Sequence, residues 1–453
     1  MTPQSKISIG FQSFLTEAGP NEKRDAIVIY RTPTPATPIA RGRLRLLKTR
    51  LDAIKANVAA QTLVQKGLFD NYHKAIGKPP SGAPSLATTS IGRNTLPVSK
   101  IEVTSKTLPL LAEQPNVVAV LPNLRIKLIQ PKALAYDPPS KQEKKDGLTW
   151  GLKQLGIPKM WEKTKGENIN VAVMDTGVYG KHPALDGRLK DFILIDQHGN
   201  RIKTDLPFDA DQHGTHVCGT IAGGKTSDGV SIGVAPGVNL LVAGVLVGNS
   251  TLDTLIEGIS WAVENGADII NMSLGFDYYE PKFAELFKVL IEQFGVLPVA
   301  AIGNENYGNS SSPGNAADAL SVGAVEKLSG GKIDVAFFSS GASLVFPGEG
   351  PGSLVTKPDI VAPGVGVYSS IPPAKRHDGV FEYASLDGTS MATPHVAGVA
   401  ALLMAAKPTA PASEIMAVLK ETAKHPLGNG LRPDNRWGYG VIRPSEALKA
   451  LLS

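Results

Sequence analysis

Gly388-Thr389-Ser390-Met391-Ala392-Thr393-Pro394-His395-Val396-Ala397-Gly398 decides how the rest of this 453-residue chain is read. A turn of small residues sets a serine at the mouth of a helix. An apolar run, Val396 to Ala406, follows and stops at Lys407-Pro408. A helix with no polar face is expected to be buried on every side, and its alanines and glycines let neighbours pack close. Pro394 is read as lying in the first turn, where a missing N–H costs nothing. A serine at that N-terminus sits beside free backbone N–H groups and the positive end of the helix dipole. Negative charge on a reacting carbonyl oxygen is favoured there. Alone, a serine before a helix is an N-cap; two further motifs argue for more.

Val171-Ala172-Val173-Met174-Asp175-Thr176-Gly177 puts a carboxylate at the end of a buried strand, the edge where α/β proteins bind ligands. His213-Gly214-Thr215-His216-Val217-Cys218-Gly219 opens a second helix of small residues, with His213 at its start. Two histidines three apart invite a metal reading. The His-Glu-x-x-His pattern is absent, so His216 is read as structural. Asp175, His213 and Ser390 together are what nucleophilic acyl transfer needs. A hydroxyl attacks, an imidazole takes its proton, and a carboxylate orients the imidazole.

Outward from these motifs, residues 148–453 alternate strands with helices. Strands are expected at Ile169–Met174, Leu240–Val247, Ile269–Leu274, Leu297–Ile302 and Leu320–Val325. Helices are expected at His213–Ala222, Leu252–Glu264, Lys282–Phe294, Met391–Ala406 and Ala412–Ala423. Continuously apolar strands mark a parallel sheet covered on both faces, hence a doubly wound, mostly parallel α/β domain. Residues 25–130 read as a small α+β domain of ferredoxin-like order. It holds a strand at Asp25–Tyr30, a helix over 41–76 and a connection rich in proline and glycine at 77–86. A strand at Val98–Val103, a helix at Leu108–Glu113 and a strand pair at Val117–Leu121 and Leu124–Leu128 complete it. Residues 1–24 are read as a flexible N-terminus and 131–147 as an exposed linker open to proteolytic nicking.

Hydrophobic content of 42% and charged content of 19% describe an ordinary globular protein. A single cysteine, Cys218, excludes an intrachain disulfide and a zinc site of paired cysteines; it is read as a small buried residue. The first residues lack the plan of a secretory signal, and no apolar run is judged to approach a membrane span. The expectation is a cytoplasmic protein, or a secreted one if the start lies elsewhere. Residues 1–150 hold 22 basic and 10 acidic residues, a balance of +12, and residues 151–453 hold 24 and 31, a balance of −7. The basic side chains Arg41, Arg43, Arg45, Lys48, Arg50 and Lys55 suggest nucleic acid, but no aromatic residues interleave them. Docking of the basic front on the acidic remainder is the better reading.

In chain order Asp175…His213…Ser390, the three motifs make residues 150–452 similar to the subtilisin-type serine endopeptidases, or subtilases. The resemblance implies an Asp-His-Ser triad and an acyl-enzyme route for hydrolysing proteins and peptides. It implies that Asn304, in Val299-Ala300-Ala301-Ile302-Gly303-Asn304, donates to the oxyanion beside the Ser390 N–H. Ser273, Leu274 and Gly275 correspond to one wall of the S1 cleft, and Ala301, Ile302 and Gly303 to the other. Gly248, Leu252 and Leu255 fall where S4 lies, so an apolar P4 residue is expected. No organic cofactor is implied. Calcium, common in the family, is in doubt because Lys181-His182-Pro183-Ala184 lacks the usual carboxylate; Asp359 is a weak candidate for a second cation. The front domain resembles the I9-like propeptide, a cis inhibitor removed by self-cleavage within about 128–147. A catalytically silent binding scaffold of the same fold is the alternative. An acid peptidase of the Ser-Glu-Asp type is disfavoured by His213 and Asn304.

Overall fold

The computed structural model describes residues 3–31, 47–77, 86–345 and 354–453. Seven parallel strands form the centre of its larger sheet. In spatial order they are Ile360–Pro363, Leu320–Lys327, Leu297–Ala301, Ile269–Met272, Asn170–Asp175, Asn239–Gly244 and Leu189–Ile195. The first of these in the chain, Asn170–Asp175, lies inside the sheet, with later strands added on both sides. The order therefore reverses beside Asp175, where a doubly wound sheet opens its crevice.

Helix Thr389–Ala406 is buried from Thr389 through Met404, as an all-apolar helix must be. By length and composition it could cross a membrane, but it lies in the core of the larger domain. The expectation that no segment reaches that length is thereby corrected. A second correction concerns Pro394. The helix begins at Thr389, so Pro394 falls in the second turn, where its missing N–H leaves the Ser390 carbonyl without its usual partner. The Ser273 hydroxyl donates to that carbonyl instead, at 3.4 Å.

The front unit is a four-stranded antiparallel sheet in the order Thr88–Ser90, Val98–Val103, Arg24–Tyr30, Val117–Pro122. Its central strand alternates faces. Ala26, Val28 and Tyr30 pack with Leu68 and Tyr72 of helix Leu47–Ile76 and with Leu108 and Leu111 of helix Thr107–Glu113. Ile27 and Ile29 join a cluster that contains Ile259 and Trp261 of helix Leu252–Glu264. One sheet thus serves two cores at once. Positions 41–46 and most of the connection at 77–86, with Arg41, Arg43 and Arg45, lie outside the described residues, as do the side chains of Lys48 and Arg50.

Three boundaries differ from the sequence reading. Of the stretch 1–24, the described residues 3–24 are not loose: Gln12–Glu17 is helical, Ile7 bridges to Val120, and Phe11 and Phe14 are buried in the front core. Residues 131–147 are mostly exposed but ordered. Ala133–Ala135 is a strand, and Lys141–Asp146 is a helix whose Ser140/Glu143 capping box satisfies its first turn. Lys127–Leu128 pairs not with Val117–Pro122 but with Leu274–Gly275 of the larger domain.

Candidate active site

Strand Asn170–Asp175 ends with its carboxylate buried at the sheet edge, beside the first turn of helix His213–Ala222. Close approach of strand and helix depends on glycine at both contact points. A Cβ on Gly214 would lie 2.1 Å from the Gly177 carbonyl, and Gly177 itself has φ +122°. The result is a 2.8 Å contact between His213 Nδ1 and Asp175 Oδ1. Burial works against a charged His213, but the carboxylates around it, Asp175 first and then Asp209 and Asp211, together hold the imidazole above its ordinary pKa. His213 Nε2 is buried without a hydrogen-bond partner among the described residues.

Asp209 is a residue the sequence reading did not select. Its carboxylate accepts from Thr176 Oγ1 at 2.6 Å, and from Thr215 N at 2.7 Å and Oγ1 at 2.6 Å, tying the strand end to the helix start. Only its position four residues before His213 hinted at this. His216 turns away from the crevice. Its Nε2–H donates to the carbonyls of Val367 at 2.9 Å and Ala384 at 3.2 Å, and burial drives its pKa down to about 3. It is a neutral structural donor. Cys218 is fully buried in the same helix, and burial pushes its thiol pKa up.

Ser390 does not donate to His213. Its Oγ donates to the carbonyl of Ile129 at 3.1 Å. The Asn304 side-chain amide donates to the next carbonyl, Gln130 O, at 2.8 Å, while its Oδ1 accepts from Thr389 N and Oγ1, each at 2.9 Å. The crevice is thus filled by the chain itself. Residues 124–130 run through it as an extended strand. Leu252 N donates to Leu124 O at 2.9 Å, Ile126 N to Ser250 O at 3.0 Å and Ile129 N to Ser273 O at 3.2 Å. Leu128 and Lys127 pair with Leu274 and Gly275. Ile126 is buried in one cluster with Leu252 and Leu255.

Of the residues singled out for binding, Ser273, Leu274, Gly275, Leu252 and Leu255 touch or flank the inserted strand. Gly248 has φ +73° and supports the turn that leads to Ser250. Ala301, Ile302 and Gly303 are buried behind Asn304 and make no hydrogen bond to the inserted strand among the described residues.

Asp359 is engaged rather than open to a cation. Its Oδ2 receives the buried Lys357 ammonium at 2.7 Å and Ser321 N at 2.8 Å. Lys357 also donates to the carbonyls of Ala319 at 2.9 Å and Ala317 at 3.3 Å. The residues do not fit calcium at the other suspected place either. Ala184 carries no side-chain ligand there. Among the described residues no group of three or more His, Cys, Asp or Glu is placed to hold a metal.

The model of the subtilase family, Peptidase_S8, matches residues 166–440. Fervidolysin of Fervidobacterium pennivorans is 32% identical over 426 residues, covering 84% of this chain and 57% of that protein, so the chain spans little more than half of that relative. M-protease of Shouchella clausii is 34% identical over 305 residues, covering 67% of this chain and 70% of the relative. Subtilisin Savinase of Lederbergia lenta is 34% identical over 305 residues, covering 67% and 99%. The crystal structure of fervidolysin, described as a keratinolytic enzyme related to subtilisin, matches with a TM-score of 0.65 at 26% identity, over 94% of this chain and 61% of that one. The chain belongs to the subtilase family.

Proposed function

We propose that the chain is a serine endopeptidase precursor whose first substrate is its own peptide bond between Ile129 and Gln130. The observation that carries this reading is the strand 124–130 in the crevice, with the Ile129 carbonyl at the Ser390 hydroxyl. Three features favour Ile129 as the residue before the cut. Its N–H pairs with Ser273, its carbonyl oxygen accepts from Ser390, and Ile126, three residues earlier, occupies the apolar site of Leu252 and Leu255. Cutting one bond later would require a proline, Pro131, as the leaving amine.

The chemistry follows from the groups in place. His213 Nε2, which has no other partner among the described residues, takes the Ser390 proton as Oγ attacks the Ile129 carbonyl carbon. Asp175 holds Nδ1–H, which fixes the tautomer and stabilises the imidazolium. The oxyanion is met by the Ser390 N–H and by Asn304, whose amide swings from Gln130 O to the neighbouring oxygen. His213 then protonates the Gln130 amine, which leaves, and water resolves the acyl-enzyme.

In this reading the front domain is an inhibitor held in cis. It docks on helix Leu252–Glu264 through Gly92 N to Glu257 at 2.5 Å, Thr95 Oγ1 to Glu264 at 2.6 Å and Lys100 Nζ to Asp253 at 2.7 Å. Glu257 and Glu264 are already paired with Arg201 of their own domain, at 2.6 and 2.5 Å. The front domain therefore adds neutral donors there, and Lys100 on Asp253 answers the charge imbalance directly. Wild type and Ser390→Ala, purified side by side, test the proposal. Wild type is expected to yield a product beginning at Gln130, and the variant to stay whole. Cleavage of both, or of neither, defeats the peptidase reading, and the second outcome favours the silent scaffold.

A further inference from the structure

Beyond the cut site the chain does not leave the protein surface. Lys132 N donates to Asp387 O at 2.8 Å, and Ala133, Leu134 and Ala135 pair antiparallel with Asp387, Leu386 and Ser385. These three residues add a third strand to a hairpin of Val367–Arg376 and Gly379–Asp387. Lys132 Nζ meets Glu305 at 3.3 Å. Tyr136 closes the segment. Its ring lies 5.4 Å from Phe381, the Arg376 guanidinium sits 4.5 Å above it, and its hydroxyl meets Arg376 and Gln212. None of these contacts involves the Ile129–Gln130 bond.

The segment is also anchored downstream. Glu143 caps its helix through Ser140 and accepts from Trp150 N at 3.0 Å, and Thr149 N donates to Ser231 O at 3.1 Å. The hairpin is equally fixed. Ser369 and Ser370 hydroxyls donate to the His216 and Thr215 carbonyls, at 2.9 and 3.0 Å, and His182 Nε2 donates to Glu382 O at 2.8 Å. Scission would free residues up to Ile129 to depart with the front domain, while residues 132–136 would keep every contact they have.

We propose that the outer edge of strand Gly379–Asp387, with Phe381 and Arg376, is a docking site for an extended peptide bearing an aromatic residue. Residues 132–136 occupy it in the precursor and go on occupying it after the cut. The inference rests on the peptidase reading and deepens it. Once the front domain has gone, the crevice before the cut is open, but the track after it still holds the enzyme's own new N-terminal strand. Substrates extending several residues past the bond must displace that strand; substrates ending at a small leaving group need not. Main-chain pairing along the edge strand sets the direction of the displaced or displacing peptide, and the Phe381–Arg376 pair selects its aromatic residue.

The test uses the self-processed full chain after its front domain has been degraded. Two substrates share one apolar sequence before the bond; one ends in p-nitroaniline, the other continues for eight residues as an internally quenched peptide. Tyr136→Ala is expected to raise kcat/KM on the long substrate roughly fivefold, the factor set by losing a half-exposed cation–π contact and its aromatic neighbour, and to leave the short one unchanged. A free peptide of the sequence 130–139, added at concentrations high enough to compete for the edge whenever the tethered strand leaves it, is expected to inhibit wild type on the long substrate only, and its alanine version at Tyr136 to inhibit far less. An unchanged ratio between substrates in Tyr136→Ala, or equal inhibition of both by the peptide, overturns the proposal. Should the variant fail to fold, the peptide competition on wild type still decides. Hydrolysis of neither substrate by wild type is a different result, and removes the peptidase reading itself.

Discussion

Lys357 offers the sharpest energetic test in the molecule. Its side chain is 2% exposed, and its three N–H donors are matched by Asp359 Oδ2 at 2.7 Å, Ala319 O at 2.9 Å and Ala317 O at 3.3 Å. Burial lowers its pKa even so, with Asp359 opposing the shift. Lys357→Met keeps most of the volume and removes all three donors. Breaking one side of a buried ion pair costs about 3–5 kcal/mol, because the other charge stays behind. Asp359 retains Ser321 N at 2.8 Å and Lys420 Nζ at 3.8 Å, which places the loss near the lower end, about 3 kcal/mol. At about 2 °C per kcal/mol for a domain of this size, Tm falls by about 6 °C. Calorimetry in a Ser390→Ala background, where self-digestion is blocked, reads the shift at fixed scan rate. Adding Asp359→Asn to Lys357→Met removes the stranded charge and should recover at least part of the loss. A Lys357→Met protein that melts with its parent refutes the reasoning, and so does a double variant less stable than the single one.

Further outcomes follow from His213 and Asp175 at the site and from Lys100 between the two domains. In the proposed mechanism self-cleavage needs neutral His213, whose pKa is raised, so its rate should climb with pH through a midpoint above the ordinary imidazole value. Asp175→Asn removes the first of the carboxylates responsible; the midpoint should drop and the rate fall by about 10⁴-fold, read by quenched-gel kinetics. The same pair contributes to stability with the opposite sense. That contribution is complete below an unfolded-state pKa of about 6.5 and is lost as pH rises through the raised folded value. Lys100→Ala, added in trans as the isolated front domain, should inhibit roughly fivefold less well. Its partner Asp253 is nearly buried but keeps Thr254 N at 2.9 Å. An unchanged inhibition constant would show that the Lys100–Asp253 pair adds nothing to the packing and neutral hydrogen bonds that hold the two units together.

How much of this was legible beforehand depended on where each element finds its partners. Helices 213–222 and 252–264 could be bounded to the residue because small-residue and amphipathic patterns are local. Strand Leu189–Ile195 escaped because Lys190 and Asp191 interrupt its apolar run. The hairpin 367–387 was hidden by Pro372-Pro373, which sit in a register shift between Ser370 and Ala374, and by its charged tip. Phe11 and Phe14 are two aromatic residues in a polar stretch, and only the front core, assembled from distant segments, explains their burial. Ser140-x-x-Glu143 is a capping signal that the surrounding charge run concealed. Lys127–Leu128 has an apolar neighbourhood that suits any strand, and its choice of Leu274–Gly275 rests on contacts well over a hundred residues away.

His216 has a mechanical consequence. One ring nitrogen bridges the backbones of both hairpin strands, and burial, which takes its pKa down to about 3, keeps the ring neutral. The ring sits one helical turn behind His213, on the same short rod. Rod and hairpin are therefore tied together one turn from His213, so the segment paired on the hairpin's outer edge and the imidazole proposed to move the proton rest on one shared support.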